Sequence, residues 1–324
     1  MKLLITGGAG YIGSVITNMA LQNQMQVKVI DCLWFNQQIP LIHLSNPNYE
    51  FIKGDICDTT LHDSLLHDVD MVIHCAAVVG DPASKLFPEL TKKINYQAAI
   101  ALFKKAVEKQ KKGFIFFSTC SNYGVAQGMA TENSELKPLS LYAETKVHTE
   151  QYIIENHKNL DFIICRLSTV YGVSPRMRFD LTVNDFTLNA YRKKYLDIFL
   201  PESYRPYIHV FDLASTIIQL ILNFDKTKNN VFNLGFTGEN YMKIEIADAV
   251  QKHISGVKVD ILKEGGDLRD YKVDFSKLQS YLGCKNIFNV EKSVNEIVEV
   301  LNSEMITDYD NPVYYNTTPN IQTN

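Results

Sequence analysis

Three observations predict an α/β fold built on a doubly wound parallel sheet. Short β-rich runs alternate with longer helical patterns over the first half of the chain, several of those runs are apolar at nearly every position, and a glycine-rich turn joins the first run to the first helix. A strand with helices on both faces has no solvent side, so its pattern is continuous rather than alternating. The runs predict strands at Lys2–Thr6, Val27–Asp31, Glu50–Lys53, Met71–Cys75, Phe114–Ser118 and Phe162–Leu167, with helices at Tyr11–Gln22, Thr60–His67, Lys85–Lys109 and Leu141–Asn156. Six strands with right-handed crossovers close the doubly wound arrangement.

After Tyr171-Gly172 the pattern changes. An arginine- and proline-containing stretch, Ser174 to Asp180, leads into a helical segment reaching about Lys194. Strands at Tyr207–Val210 and Val231–Leu234 flank a helix at Phe211–Leu222, so the chain is expected to rejoin the first domain over about 204–234. The division is therefore a dinucleotide-binding domain at 1–172, with 173–203 and 235–324 forming a smaller C-terminal substrate-binding lobe. That lobe should hold a strand at Val257–Leu262 and helices near Ser276–Leu282 and Val290–Leu301. From about Asp308 the sequence is polar and aperiodic, and a loose tail is expected.

The 324 residues, 46% hydrophobic, suit one main domain and a smaller lobe. A net charge of −4 gives no basic field, which argues against a nucleic-acid partner while leaving room for local arginine clusters that hold small anions. Met1 to Thr6 runs into a strand without a basic leader, so no signal peptide is expected. No apolar run approaches the ~18 residues of a membrane span. Six scattered cysteines without a CxxC pair point to free thiols in a cytoplasmic, reducing compartment, and the histidines lack metal-ligand spacing.

Thr6-Gly7-Gly8-Ala9-Gly10-Tyr11-Ile12-Gly13 contains GxGxxG between a predicted strand and helix. Glycines there permit a tight turn and let backbone approach a pyrophosphate, and the helix N-terminus supplies free N–H groups. Asp31 ends the second strand 18 residues beyond Gly13, placed to accept hydrogen bonds from the adenosine ribose. It would repel a 2′-phosphate, and Cys32-Leu33-Trp34 offer no arginine, so NAD is expected rather than NADP. Together these are the signature of a Rossmann dinucleotide site.

Tyr142 and Lys146 are four residues apart in a predicted helix, hence on one face. An ordinary solvated helix often carries such a pair. Beside a nicotinamide ring, however, the ammonium and the cationic ring should lower the phenol's pKa and make it a proton acceptor for an alcohol. Ser118-Thr119-Cys120-Ser121-Asn122-Tyr123-Gly124 follows the fifth strand at the carboxyl edge of the sheet, where ligands bind.

These motifs, in this order, resemble the extended short-chain dehydrogenases/reductases, and among them the nucleotide-sugar epimerases and dehydratases. The resemblance implies that Tyr142 is the base, that Lys146 also holds the nicotinamide ribose, and that Thr119 hydrogen-bonds the substrate oxygen. It also implies cofactor contacts from Gly7, Gly10, Tyr11, Ile12, Gly13 and Asp31, an adenine contact at Asp55-Ile56, and a cofactor-facing turn at Ala76-Ala77. Arg205, in Arg205-Pro206-Tyr207-Ile208-His209-Val210, and Arg269, in Gly266-Asp267-Leu268-Arg269-Asp270, are similar to the family's contacts to the substrate diphosphate. Arg176, Arg178 and Asn184 fall near its phosphate-binding helix start. The implied partner is a nucleoside-diphosphate sugar, and a homodimer through the Asn95–Lys109 and Tyr142 helices is expected, with Ala98, Ala101, Leu102, Val147, Ile153 and Ile154 as interface candidates.

In the family's 4,6-dehydratases an Asp-Glu pair follows the hydroxyl residue, where this chain has Cys120-Ser121; elimination of water would lack its acid and base. Ser168-Thr169 likewise stand where epimerases commonly have an asparagine. The expected activity is oxidation at C4 of the sugar, as a 4-epimerase, with a C4 dehydrogenase releasing a 4-keto sugar as the alternative. A hydroxysteroid-type dehydrogenase would not need Arg205 and Arg269, and a non-catalytic NAD sensor would not need Tyr142 and Lys146.

Overall fold

The computed structural model describes residues 1–263 and 265–319. Its centre is a seven-stranded, all-parallel sheet of β1 (Lys2–Thr6), β2 (Gln26–Asp31), β3 (Tyr49–Lys53), β4 (Met71–His74), β5 (Gly113–Thr119), β6 (Asp161–Leu167) and β7 (Asn230–Leu234), ordered β7-β6-β5-β4-β1-β2-β3. The predicted doubly wound fold is present. Strand order reverses between β1 and β4, which opens a crevice at their carboxyl ends.

Helix α1 (Tyr11–Gln22) packs with α5 (Val210–Leu222) on one face of the sheet, while α2 (Ala99–Glu108) and α3 (Leu141–Asn156) lie on the other. Between sheet and helices, Leu3, Ile5, Val27 and Val29 alternate with Leu4 and Ile30 across the two faces, all essentially without solvent exposure. A third apolar core, around Phe179, Leu188, Ile198, Tyr207 and Val294, belongs to α4 (Thr182–Lys193), α6 (Lys243–His253) and α7 (Val290–Asn302).

Several expectations are corrected. The strand expected at Tyr207–Val210 runs instead over Tyr204–His209, since Val210 already starts a helix; it pairs in parallel with Thr169–Tyr171, just past the end of β6, and antiparallel with Asn240–Met242. Two further parallel pairs are Val125–Ala130 with Asp270–Val273 and, between segments after Gly172, Tyr195–Phe199 with Lys258–Leu262. The helix predicted over Lys85–Lys109 is broken at Phe87, whose backbone is held out of the helical region (φ −126, ψ 60) ahead of Pro88. It then passes through a wide π-type turn, Lys93–Ala98, before α2.

The tail is anchored as far as Thr318. Tyr314 stacks edge-on against Phe179 at 5.4 Å, its carbonyl accepts from Phe179 N at 3.1 Å, and Asn316 N donates to Asp180 Oδ2 at 2.8 Å. Aromatic residues, not periodicity, hold it. Of the interface candidates, Ala98, Leu102, Val147 and Ile153 are already buried within the chain; Ile154 is exposed and Ala101 half-buried.

Among the described residues, no helix is long and apolar enough to cross a membrane and no cluster of three ligating side chains could hold a metal. All six cysteines are free thiols.

A buried ion pair joins α3 to the sheet. Arg166 on β6 and Glu150 on α3 are 5% and 1% exposed, and Arg166 Nε donates to Glu150 Oε1 at 3.0 Å while Nη2 reaches the same oxygen. Ser118 Oγ donates to Glu150 Oε2 at 2.8 Å, and Arg166 Nη1 donates to Tyr123 Oη at 2.9 Å. Removing one member leaves a buried charge without its partner. Glu150→Ala is expected to lower unfolding stability by about 3–5 kcal/mol, read from urea denaturation; a change of a few tenths would show that the pair is solvated.

Candidate active site

The glycine turn is shaped by exclusion. Gly7 takes φ +68, a region that favours glycine, and a Cβ there would lie 2.9 Å from the Ala76 backbone. At Gly13 a Cβ would lie 2.2 Å from the Gly7 carbonyl oxygen, so α1 can start against the turn only without a side chain. Gly10 caps α1 without any side-chain hydrogen bond, leaving first-turn N–H groups directed at the crevice.

That crevice is a cleft of about 930 Å³ lined by Gly7, Gly10, Tyr11, Ile12, Gly13, Asp31, Asp55, Ile56, Ala76 and Ala77, all ten residues assigned to the cofactor on sequence besides Lys146. Asp31 accepts from Ala9 N at 3.0 Å and Leu33 N at 2.8 Å, one bond to each oxygen, which leaves lone pairs for a ribose diol. Burial raises its pKa, and the two N–H groups work against that. The Ala76-Ala77 turn is positioned from both sides: Ala76 N donates to Thr6 Oγ1 at 3.2 Å, and Val78 exchanges two hydrogen bonds with the Asn95 amide, at 2.8 and 2.9 Å. The π-type turn aims Asn95 at this loop. A cradle that side chains would fill, a helix start without a cap and a buried acceptor at the end of β2 together fit a dinucleotide such as NAD.

Tyr142 and Lys146 project from α3, whose N-cap Ser140 accepts from Ala143 N at 3.3 Å. Lys146 is buried, with Nζ 4.8 Å above the Phe116 ring, and burial pushes its pKa down to about 8. The Tyr142 phenol is pushed up to about 12, by burial and then by the Asp81 carboxylate, with the Thr119 hydroxyl working the other way. This is opposite to the depression expected from sequence, because burial and Asp81 outweigh the cations of the protein itself. Thr119 Oγ1 donates to Ser121 Oγ at 3.1 Å at the carboxyl end of β5.

Arg269 stands at the junction with a second cavity of about 820 Å³, whose lining includes Arg205, Tyr207, Lys243, Asp267, Arg269 and Tyr271. Arg269 Nη1 donates to Ser121 Oγ at 2.6 Å, and its Nη2 lies 3.2 Å from Asp81 Oδ2. Asp267 bridges Arg269 and Arg205, the latter at 3.2 Å, and its carboxyl is held well below the usual range, the arginines outweighing the opposing burial. The structure therefore brings Arg205 and Arg269 together through Asp267, with Arg269 reaching the Ser121 hydroxyl that Thr119 also bonds.

It does not bring the other three candidates there. Arg176 and Arg178 line the dinucleotide cleft instead, on the loop after Gly172. Asn184 is fully buried, accepting from Gly172 N at 3.0 Å and donating to Arg178 O at 2.8 Å. Its polar atoms are spent on shaping that loop.

Sequence reasoning missed Asp81, Asn95, Ser121 and Lys243. Asp81 follows the turn after β4, at the ligand-binding edge of the sheet, a position that could have flagged it. Lys243 carries no local signal.

Comparisons with known proteins agree with this geometry. The family described as "NAD dependent epimerase/dehydratase family" matches residues 3–235. A UDP-glucose 4-epimerase of Lactobacillus helveticus is 28% identical over 310 residues, 88% of this chain and 92% of that protein. A dTDP-glucose 4,6-dehydratase of Streptomyces niveus is 27% identical over 308 residues, 87% of each chain. Among solved structures, the UDP-glucuronic acid 4-epimerase of Bacillus cereus, in complex with UDP-glucuronic acid and NAD, superposes with a TM-score of 0.85 at 25% identity, covering 94% of this chain and 100% of that one.

Asp31→Ala combined with Cys32→Arg should weaken NAD roughly 10-fold or more, through loss of charged hydrogen bonds to the ribose, while NADP gains affinity from a 2′-phosphate partner. Titration calorimetry with both nucleotides checks this; an unchanged NAD preference would place the ribose elsewhere.

Proposed function

The chain belongs to the NAD-dependent epimerase/dehydratase family and takes NAD as its cofactor, and on that premise we propose that it oxidises C4 of a nucleoside-diphosphate sugar and acts as a 4-epimerase. The observation that carries the proposal is that Tyr142, on one helix face with Lys146, meets the Thr119 hydroxyl and the charge of Arg269, which Asp267 joins to Arg205 on the wall of the second cavity. Forked guanidinium donors suit a diphosphate, which would displace Asp267 from the two arginines. Aromatic Tyr207 and Tyr271 in the same cavity offer a surface for the nucleoside.

When bound, NAD supplies a reversible acceptor for the C4 hydrogen and its electron pair. The chain's own residues manage the proton. Tyr142 would accept the C4 hydroxyl proton as a phenolate once the positive charge of a bound nicotinamide ring and of Lys146 offsets the burial and the Asp81 carboxylate that raise its phenol, with the Thr119 hydroxyl hydrogen-bonded to the same oxygen. Lys146 on the next turn favours the phenolate, and the same pair returns the proton when the ketone is reduced on its other face.

Water elimination is disfavoured by local geometry. Cys120 has no exposure, and its thiol donates to the Arg166 carbonyl at 3.2 Å, away from the cleft; Ser121 is a hydroxyl bound to Arg269. Asp81 is tied to Ser140 at 2.6 Å and to Arg269. The two positions after Thr119 therefore supply no carboxyl pair for acid–base elimination. The free thiols agree with a cytoplasmic setting.

We also propose a homodimer through the remaining exposed part of the α2–α3 face, where Tyr96 and Ile154 are 37% and 42% exposed. Light scattering should give twice the 36.9 kDa chain mass; a single-chain mass with full activity would remove the dimer.

Incubation with a panel of UDP-, GDP-, CDP- and dTDP-sugars, following both product and nicotinamide absorbance, tests the reaction. The 4-epimer should form without net NADH, whereas stoichiometric NADH with a 4-keto sugar would identify a dehydrogenase. Tyr142→Phe should retain NAD binding and reduce turnover by ~10²–10⁴-fold. Near-normal turnover would exclude Tyr142 as the base.

A further inference from the structure

The loop Ser174–Asp180 carries two arginines with different fates. Arg178 is neutralised by Asp180, with Nε to Oδ1 at 2.8 Å and Nη2 to Oδ2 at 3.0 Å. Arg176 is 5% exposed, and its Nε and Nη2 are buried without a hydrogen-bond partner among the described residues. Its guanidinium carbon lies over Phe35, 3.9 Å from the ring centroid, on the wall of the dinucleotide cleft. Asp180 and Asp31 act on this cation only through space, and buried guanidinium donors without a hydrogen-bond partner are costly in a way that stacking on one ring does not compensate. An anion taken into the cleft would.

The opposite wall supplies the other half of such a site. Gly10, Tyr11 and Ile12 present the uncapped start of α1, and Asp31 lies further along at the ribose end. A dinucleotide spanning these points would set its two phosphates between the helix start and Arg176. The loop is held in place independently of any ligand: Met177 is 3% exposed in the small lobe's core, Ser174 Oγ donates to the Tyr11 carbonyl at 2.7 Å, and Asn316 from the C-terminal segment bonds Asp180. Asn316 also lines the cleft, with its Oδ1 buried and unpartnered.

We propose that Arg176, oriented by Phe35, is a clamp of the small lobe on the cofactor, pairing with the diphosphate of the dinucleotide bound against the glycine turn. The clamp recognises charge, not the base or the sugar. It explains why an arginine that sequence assigns to the substrate stands in the cofactor cleft. It does not depend on which sugar is turned over or on the fate of the 4-keto group.

The test uses the full chain freed of nucleotide, with calorimetric titrations of NAD, ADP and adenosine against wild type and Arg176→Met. ADP and NAD should each bind about 10- to 100-fold more weakly to the variant, the usual effect of losing a charged hydrogen-bonding partner, while adenosine binding is unchanged. The thermal midpoint of the nucleotide-free variant should stay the same or rise, since buried charged donors without a hydrogen-bond partner have been removed. ADP affinity within about threefold of wild type, a parallel fall for adenosine, or a lowered midpoint with the NAD-induced shift intact would each overturn the clamp. Phe35→Leu leaves the charge but removes its support and should give a smaller, ADP-selective loss. Should Arg176→Met not fold, this second variant decides, and unaltered ADP affinity overturns the proposal.

Discussion

The buried ion pair between Glu150 and Arg166 is the contact on which the geometry of the site depends. Tyr142, Lys146 and Glu150 are spaced by four along α3 and therefore share one face. Fixing Glu150 to Arg166 on β6 and to Ser118 on β5 sets the roll of the helix, and that roll aims the phenol and the ammonium at the end of β5. The network extends further. Tyr123 Oη receives Arg166 Nη1 and donates to Asn233 Oδ1 at 2.6 Å on β7, and Asn233 N donates to Glu132 Oε1 at 2.8 Å. Such a network costs desolvation, and it holds one arrangement because each member has its partner.

Around that frame, the site is divided between two openings by what is absent as much as by what is present. The glycine turn works through missing Cβ atoms and a missing cap, so backbone N–H groups remain for the cofactor. The second cavity works through charges that already have partners: Arg205 and Arg269 share Asp267, and Arg269 also reaches Asp81 and Ser121. A diphosphate entering there would exchange one ionic partner for another, whereas one entering the first cleft would meet Arg176, whose Nε and Nη2 have no hydrogen-bond partner to give up among the described residues.

The relatives include epimerases and dehydratases at nearly equal similarity, so overall likeness does not select a reaction. In the proposed reaction, selection would come from the two positions after Thr119, where a thiol turned into the sheet and a hydroxyl bound to an arginine would leave the proton chemistry to Tyr142 and Thr119.

The sequence by itself determined the doubly wound sheet, the glycine turn, Asp31 and the Tyr142-Lys146 pair, because each is encoded by neighbours: apolar runs of strand length, glycines at fixed offsets, and a spacing of four on a helix. Only the tertiary structure decided the rest. Pro88 and the wide turn that aims Asn95 broke a helix whose apolar pattern read as continuous, since periodicity reports the buried face and not the backbone hydrogen bonds. Tyr309 and Tyr314 anchored a tail that looked loose, because their partner Phe179 lies more than a hundred residues away in the chain. Arg176, Arg178, Arg205 and Arg269 are alike in sequence, and only the fold separates them. Whether a guanidinium serves the cofactor, the substrate or a neighbouring aspartate depends on which carboxylates and cavities surround it, and those come from strands and loops distant in sequence.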